Sequence, residues 1–407
     1  MTGNRSGPRP LPLLMAVQAL TALSSMSALP LLRSGSLNWS PKLQADAAKF
    51  AEELQRAAPD DFARAVQAEA VRRMNAFADG VQRYQQSPPT ERPPAPPVIW
   101  QKGSARLLDY GWPQSGATGP AILCIPSLIN RAYILDLTEK RSLMRNLAAR
   151  GLRPILMDWG TPDEIERGFD LTDYIGGYLG DALHQIAAET GVAVSVLGYC
   201  MGGNLALGLA ALHPARIRAL CLLATPWDFH AGHGAALPFL AVMRPGLEQL
   251  IDAVGVLPVD VLQALFNGLN PSLAGNKFRA FAGLTPATAK ARAFVALEDW
   301  LNDGVPLAGP VARECLFEWY LGNTPGNATW RVGATIVDPA ALTQPALVIV
   351  PDADYIVPPA SAVPLARVLP HAKLRTVNAG HIGMVAGGRA KSILHTPVAD
   401  WLLEMLT

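Results

Sequence analysis

The chain has 407 residues, half of them hydrophobic and 16% charged, with a formal net charge of +1. That length holds one large core with an elaboration, or two domains. The near balance of charge excludes an electrostatic nucleic-acid binder, and four cysteines without CxxC spacing exclude a zinc knuckle or a disulfide framework.

In chain order, the first feature is an uncharged run, "LPLLMAVQALTALSSMSALPLL" (11–32), flanked by Arg5, Arg9 and Arg33. It reads as an interfacial or partner-binding helix, a membrane span, a signal peptide ending near Ser25-x-Ser27, or a core helix. Pro12, Pro30, Gln18 and the serines weigh against the span and the signal. Residues 41–86 alternate charge and alanine in a helical pattern. The stretch "SPPTERPPAPP" (87–97) is too rich in proline for helix and reads as an extended linker. The boundary between an N-terminal helical extension (1–98) and a catalytic domain (99–407) is expected there.

Beyond it, short apolar runs alternate with helical segments: 121–127, 153–160, 192–198, 217–226, 345–352 and 373–380. Fully apolar strands with helical crossovers predict a mostly parallel sheet covered on both faces. The interval from about 229 to 338 breaks this rhythm. It is helical and rich in Gly, Pro and Trp, and is expected to form a cap inserted over the active-site end of the sheet.

Strand "VAVSVLG" runs into Gly198-Tyr199-Cys200-Met201-Gly202 and then into the helix "MGGNLALGLAAL". Strand, tight turn with small neighbours and helix are the parts of a nucleophile elbow, with cysteine in place of serine. The Met201 N–H would face the incipient oxyanion, and the helix N-terminus would favour a thiolate. Cys124 and Cys221 lie inside apolar strands and read as buried small hydrophobes. A working cysteine must stay reduced, which points to the cytoplasm.

A thiol nucleophile needs a base, and the base an orienting acid, which follow in that order after later strands. "LVIVPDADYIVPP" offers Asp354, matched through Val357 and Pro358 to the common acid-loop pattern, with Asp352 as runner-up. "RTVNAGHIGM" places His381 directly after the last strand. His230 and His233 lie at the cap entrance, where a surface role is favoured over a substrate role. The other histidines (His184, His213, His371, His395) fall on helices or surface turns. For the second oxyanion donor, "IPSLINR" after the first strong strand offers the N–H of Leu128 or Ile129. Asn130 and Arg131 read as braces of that loop. No metal cluster or glycine-rich phosphate loop is present in the sequence.

The segments "IPSLINRAYILDLTEKRSL", "DWGTPDEIERGFDLTDYIGGYL", "GYCMGGNLA", "ATPWDF", "DYIVP" and "AGHIG" resemble the polyhydroxyalkanoate synthases, cysteine-dependent enzymes of the α/β-hydrolase superfamily. The chain is more similar to the short class III type than to the long class I type. The resemblance runs from about residue 121 to the C-terminus. It implies an α/β-hydrolase fold with Cys200 as acyl acceptor, His381 as base and Asp354 as third member, the aspartate also helping to activate a 3-hydroxyl group. It implies polymerisation of (R)-3-hydroxyacyl-CoA into polyester with release of CoA, the thioester being substrate and no cofactor being needed. The partners implied are the thioester, the growing polyester chain, and a synthase partner subunit or a second copy. Docking on a granule or membrane surface through residues 11–32 is expected, in the cytoplasm. The competing enzyme is a cysteine hydrolase on the same scaffold, a depolymerase or thioesterase, which shares the acyl-enzyme. A granule protein with a vestigial triad is disfavoured by the intact Cys200, Asp354 and His381. Of the cap aromatics, a few, Trp300 and Trp319 among them, are expected to line an apolar tunnel to Cys200.

Overall fold

Short β-branched and leucine-rich runs separated by helical segments pair into a sheet covered by helices. A computed structural model describes residues 5–39, 43–111, 119–234 and 236–405. Eight strands form the main sheet: β1 (Val98–Lys102), β2 (Ala105–Asp109), β3 (Ala121–Ile125), β4 (Arg153–Asp158), β5 (Val194–Tyr199), β6 (Ile217–Leu223), β7 (Ala346–Pro351) and β8 (Ala372–Val377). Their order is β1-β2-β4-β3-β5-β6-β7-β8. The β1–β2 and β2–β4 pairs are antiparallel and the other five are parallel. β3, β5 and β7 are buried along their whole length. The crossover order reverses around β3, so β5 delivers its C-terminal end to the crevice where open parallel sheets place ligands.

The six apolar runs fall on β3 to β8. The antiparallel β1 and β2 carry Gln101, Lys102, Arg106 and Asp109, and their mixed polarity gave no strand signal.

Two compact units divide the chain: residues 1–90 with 270–302, and residues 91–269 with 303–407. The first unit differs from expectation. The boundary falls at 90/91 rather than 98, and the interval 229–338 is not a single cap, because 270–302 belongs with the N-terminal helices. Helices Leu11–Ser27, Pro59–Gln85, Pro271–Ala282 and Ala289–Asn302 close a core of Leu14, Phe77, Val81, Tyr84, Phe278 and Phe281. The Phe278 ring meets Phe77 and Tyr84, each at 5.9 Å, and Phe294 at 5.4 Å. Helix Pro59–Gln85 approaches so closely that a Cβ on Gly80 would strike the Phe278 carbonyl. An open groove of about 620 Å³ in this unit runs past Val17, Thr21, Val66 and Met74 to Arg73 and Arg279.

The uncharged run is not one continuous helix. It forms Leu11–Ser27 and Leu29–Ser34, and among the described residues no helix is long and apolar enough to cross a membrane. Leu14 and Gln18 face the unit's interior, while Leu20 and Leu23 are 63% and 66% exposed.

In the second unit the insertion between β6 and β7 keeps helices Ala236–Val254 and Val259–Leu269 and a helix Gly309–Arg313. The last runs straight into a π-helical segment, Glu314–Leu321.

Candidate active site

β5 ends at Tyr199, and helix Met201–Leu212 begins two residues later. Cys200 alone makes the turn, with φ 57° and ψ −128°. A non-glycine residue in that region is strained and persists only where its surroundings over-determine it. Here the Cys200 N–H donates to the Leu223 carbonyl at 2.8 Å, and its carbonyl accepts from Gly203 N at 2.9 Å. The turn also needs space. A Cβ on Gly202 would run into the Ile125 carbonyl, and one on Gly203 into the Thr225 side chain. Asn204 Nδ2 donates to the Pro226 carbonyl at 2.8 Å, tying this helix to the loop after β6.

His381 opens helix His381–Ala386 directly after β8. Its Nδ1 donates to Asp354 Oδ2 at 2.6 Å. The other Asp354 oxygen accepts from the backbone N–H groups of Ile356 and Val357, both at 2.9 Å. Asp354 and His381 are buried. The Cys200 side chain also acts on the imidazole, which has Nε2 left once Nδ1 is bonded to Asp354. Burial pulls the His381 pKa down, but the negative charge of Cys200, the hydrogen bond to Asp354 and the Asp354 charge raise it to about 10. Asp352 is exposed and turned elsewhere, accepting from Ala379 N at 3.2 Å.

The four cysteines have different surroundings. Cys124, Cys221 and Cys315 are buried, and burial pushes their thiols far up. Cys200 is partly exposed.

The start of the helix after Cys200 abuts the loop after β3, with Gly202 against the Ile125 and Pro126 carbonyls. Met201 N is the first N–H of its helix. In the loop after β3, Ile129 N donates to Ser127 Oγ at 3.1 Å, whereas Leu128 N has no partner among the described residues. Trp159 Nε1 holds this loop through the Pro126 carbonyl at 3.1 Å. Arg131 bonds Thr161 and pairs with Asp303 at 3.5 Å, and Asn130 bridges to Gly304.

Several neighbours of the site carried no sequence signal. Tyr199 is buried, with its ring 5.1 Å from the His381 ring and its hydroxyl donating to the His381 carbonyl at 3.3 Å. Its place beside the cysteine was legible, but its direction was not. His233, expected at the surface, is only 6% exposed. His395 is also buried, its Nε2 bonded to the Val385 carbonyl at 2.8 Å. Trp319 packs between Phe229 and Trp330, and Trp300 belongs to the N-terminal unit.

A strained cysteine beside a buried histidine–aspartate pair at the end of a mostly parallel sheet is the arrangement of an α/β hydrolase. The family model described as "alpha/beta hydrolase fold" matches residues 120–387. A poly(3-hydroxyalkanoate) polymerase subunit PhaC from Synechocystis sp. is 33% identical over 295 residues, covering 70% of this chain and 77% of that protein. The subunit of the same name from Allochromatium vinosum is 31% identical over 313 residues, covering 75% and 88%. Among solved structures, an esterase from Thermogutta terrifontis is 15% identical, with a TM-score of 0.47, and covers 78% of this chain and 100% of that one. The chain belongs to the poly(3-hydroxyalkanoate) polymerase family, within the α/β-hydrolase fold.

Proposed function

We propose that this chain polymerises (R)-3-hydroxyacyl-CoA thioesters into polyester through an acyl group carried on Cys200. The observation that carries this reading is identity above 30% to PhaC polymerase subunits across two thirds or more of both chains, with a cysteine at the elbow beside the His381–Asp354 pair.

His381 Nε2 takes the Cys200 proton, and the sulfur attacks the thioester carbonyl. A new C–S bond forms, the tetrahedral oxyanion accepts from Met201 N and Leu128 N, and the bond to CoA breaks. The CoA thiolate leaves with the proton that His381 held. A chain-end hydroxyl then gives its proton to His381 and attacks the acyl carbonyl, and Cys200 is released. Asp354, buried and anchored by two N–H groups, holds the imidazole tautomer that leaves Nε2 free for these transfers. Ile129 N is occupied by Ser127, which favours Leu128 over Ile129 as the second donor.

Leu20 and Leu23 on helix Leu11–Ser27 supply the docking face for a granule surface in the cytoplasm. Replacing both with serine is expected to move the protein from the particulate to the soluble fraction. A partner subunit or a second copy completes the working assembly.

Purified protein given 3-hydroxybutyryl-CoA, with CoA and polymer assayed together, tests the main reading. CoA release with chain growth is expected. Free 3-hydroxyacid as the only product, at saturating substrate and with a partner subunit supplied, overturns it in favour of hydrolysis.

A further inference from the structure

The segment after β6 is fastened to two other parts of the same unit. Trp227 N and Asp228 N donate to the Ser361 carbonyl at 3.1 and 3.0 Å, and Gly232 lies against Pro358 of the acid loop. On its other side, Phe229 N donates to Asn323 Oδ1 at 2.8 Å, Asn323 Nδ2 donates to Asp228 Oδ1 at 3.0 Å, and His230 Nε2 meets the Leu321 carbonyl at 3.0 Å. These bonds clamp 227–233 between the loop that carries Asp354 and the end of the π-helical segment. Such segments are frequent at functional sites.

The clamp brings His233 against Tyr320, with ring centroids 5.3 Å apart at 70°. Phe229 also meets Tyr320 edge-to-face, with ring centroids 4.9 Å apart. Tyr320 and Cys200 pack against the same core, and the charges of Cys200 and Asp354 add to burial in raising the phenol. His233 Nε2 is buried and has no hydrogen-bond partner among the described residues. Tyr320 is half-buried, and its hydroxyl makes no hydrogen bond among the described residues. A buried polar atom left unpartnered is costly, and it is tolerated where a ligand supplies the missing bond. Burial pushes the phenol up, so it remains a donor, and pulls the imidazole down despite Asp228, so it remains neutral. A neutral imidazole nitrogen accepts. An alcohol both donates and accepts, and matches this pair.

We propose that Tyr320 and His233 bind the 3-hydroxyl group of the hydroxyacyl unit at Cys200, the phenol donating to it and His233 Nε2 accepting from it. This rests on the polymerase reading above and gives the site its means of telling a hydroxyacyl thioester from a plain acyl thioester. It assigns recognition of the bound unit's hydroxyl to a pair outside the triad.

Single-turnover CoA release from (R)-3-hydroxybutyryl-CoA and from butyryl-CoA tests it. Tyr320→Phe and His233→Phe keep the rings and remove one hydrogen bond each. Each is expected to lower the preference for the hydroxyacyl thioester by about tenfold, equivalent to about 1.4 kcal/mol. His233→Gln, which keeps an amide near the Nε2 position, is expected to recover part of that preference. An unchanged preference in Tyr320→Phe and His233→Phe, whether both thioesters slow equally or neither slows, overturns the subsite and leaves the polymerase reading standing. Wild-type protein that releases CoA from neither thioester overturns the polymerase reading, and this inference with it.

Discussion

Cys200 combines three properties that no other cysteine of this chain has. It is strained, partly exposed, and electrostatically coupled to the His381 imidazole. Cys200→Ala is therefore expected to abolish CoA release and leave the thermal melt near that of wild type, since little volume is lost. Iodoacetamide is expected to label Cys200 well ahead of Cys124, Cys221 and Cys315, and equal native-state labelling of all four contradicts the assignment. The raised His381 pKa has a consequence for stability. A histidine at about 10 when folded and about 6.5 when unfolded binds more protons in the folded state between those values. Its contribution is fully present below about pH 6.5 and fades as pH rises toward 10. The charge of Cys200 is the largest influence that raises it. NMR titration is expected to show a lower His381 pKa in Cys200→Ala, together with a smaller alkaline loss of stability.

At the scale of elements, the elbow and the π-helical segment make separate predictions. The turn at Cys200 exists because β5 and its helix approach without intervening side chains. Gly202→Ala is expected to cost about 1–3 kcal/mol in chemical denaturation, as overpacking does, and to lower activity more than stability by displacing Cys200. Glu314 opens the π-helical segment, where burial raises its carboxyl to about 7 despite the Trp330 indole N–H at 2.9 Å. An acid whose pKa is higher folded than unfolded holds its proton more tightly in the folded state. Stability is thus expected to fall as pH rises from about 4.5 through 7. Glu314→Gln keeps an acceptor for Trp330 and cannot ionise, so its melting temperature should lose that pH dependence. A parallel fall in both proteins would remove Glu314 as the cause.

At the scale of the molecule, one chain builds two units, and the smaller is discontinuous. Residues 270–302 complete a core begun by residues 11–85. Phe278→Ala is expected to cost the first unit about 3–5 kcal/mol, seen as a separate, earlier unfolding step, because three rings lose their common partner. Removing residues 1–90 is expected to yield aggregated protein rather than a trimmed catalytic unit. The truncation strips Phe278 and Phe281 of Phe77, Tyr84 and Leu14 and exposes a new apolar patch. A soluble, monomeric truncated chain would show that 270–302 does not depend on the N-terminal helices.

The strand positions, the elbow and the order of cysteine, acid and histidine were legible in the sequence because they depend on local pattern. A short apolar run between helical segments forms a covered strand, and a cysteine between glycines at a strand end makes a tight turn. Asp354 rather than Asp352 was favoured by the Val357-Pro358 spacing, and in the fold only Asp354 points inward to bond His381. What depended on distant contacts could not be read. β1 and β2 are paired by neighbours rather than by their own polarity. The cap divided because helices far apart in the chain share one core, and a helical pattern does not name its partner. His233 and Tyr320 are separated by 87 positions, and each looks ordinary alone. Only tertiary structure, through the clamp at Asp228, Asn323 and Ser361, buries His233 Nε2 without a partner and sets its ring against Tyr320, because burial and the absence of a partner are properties of a place rather than of a residue.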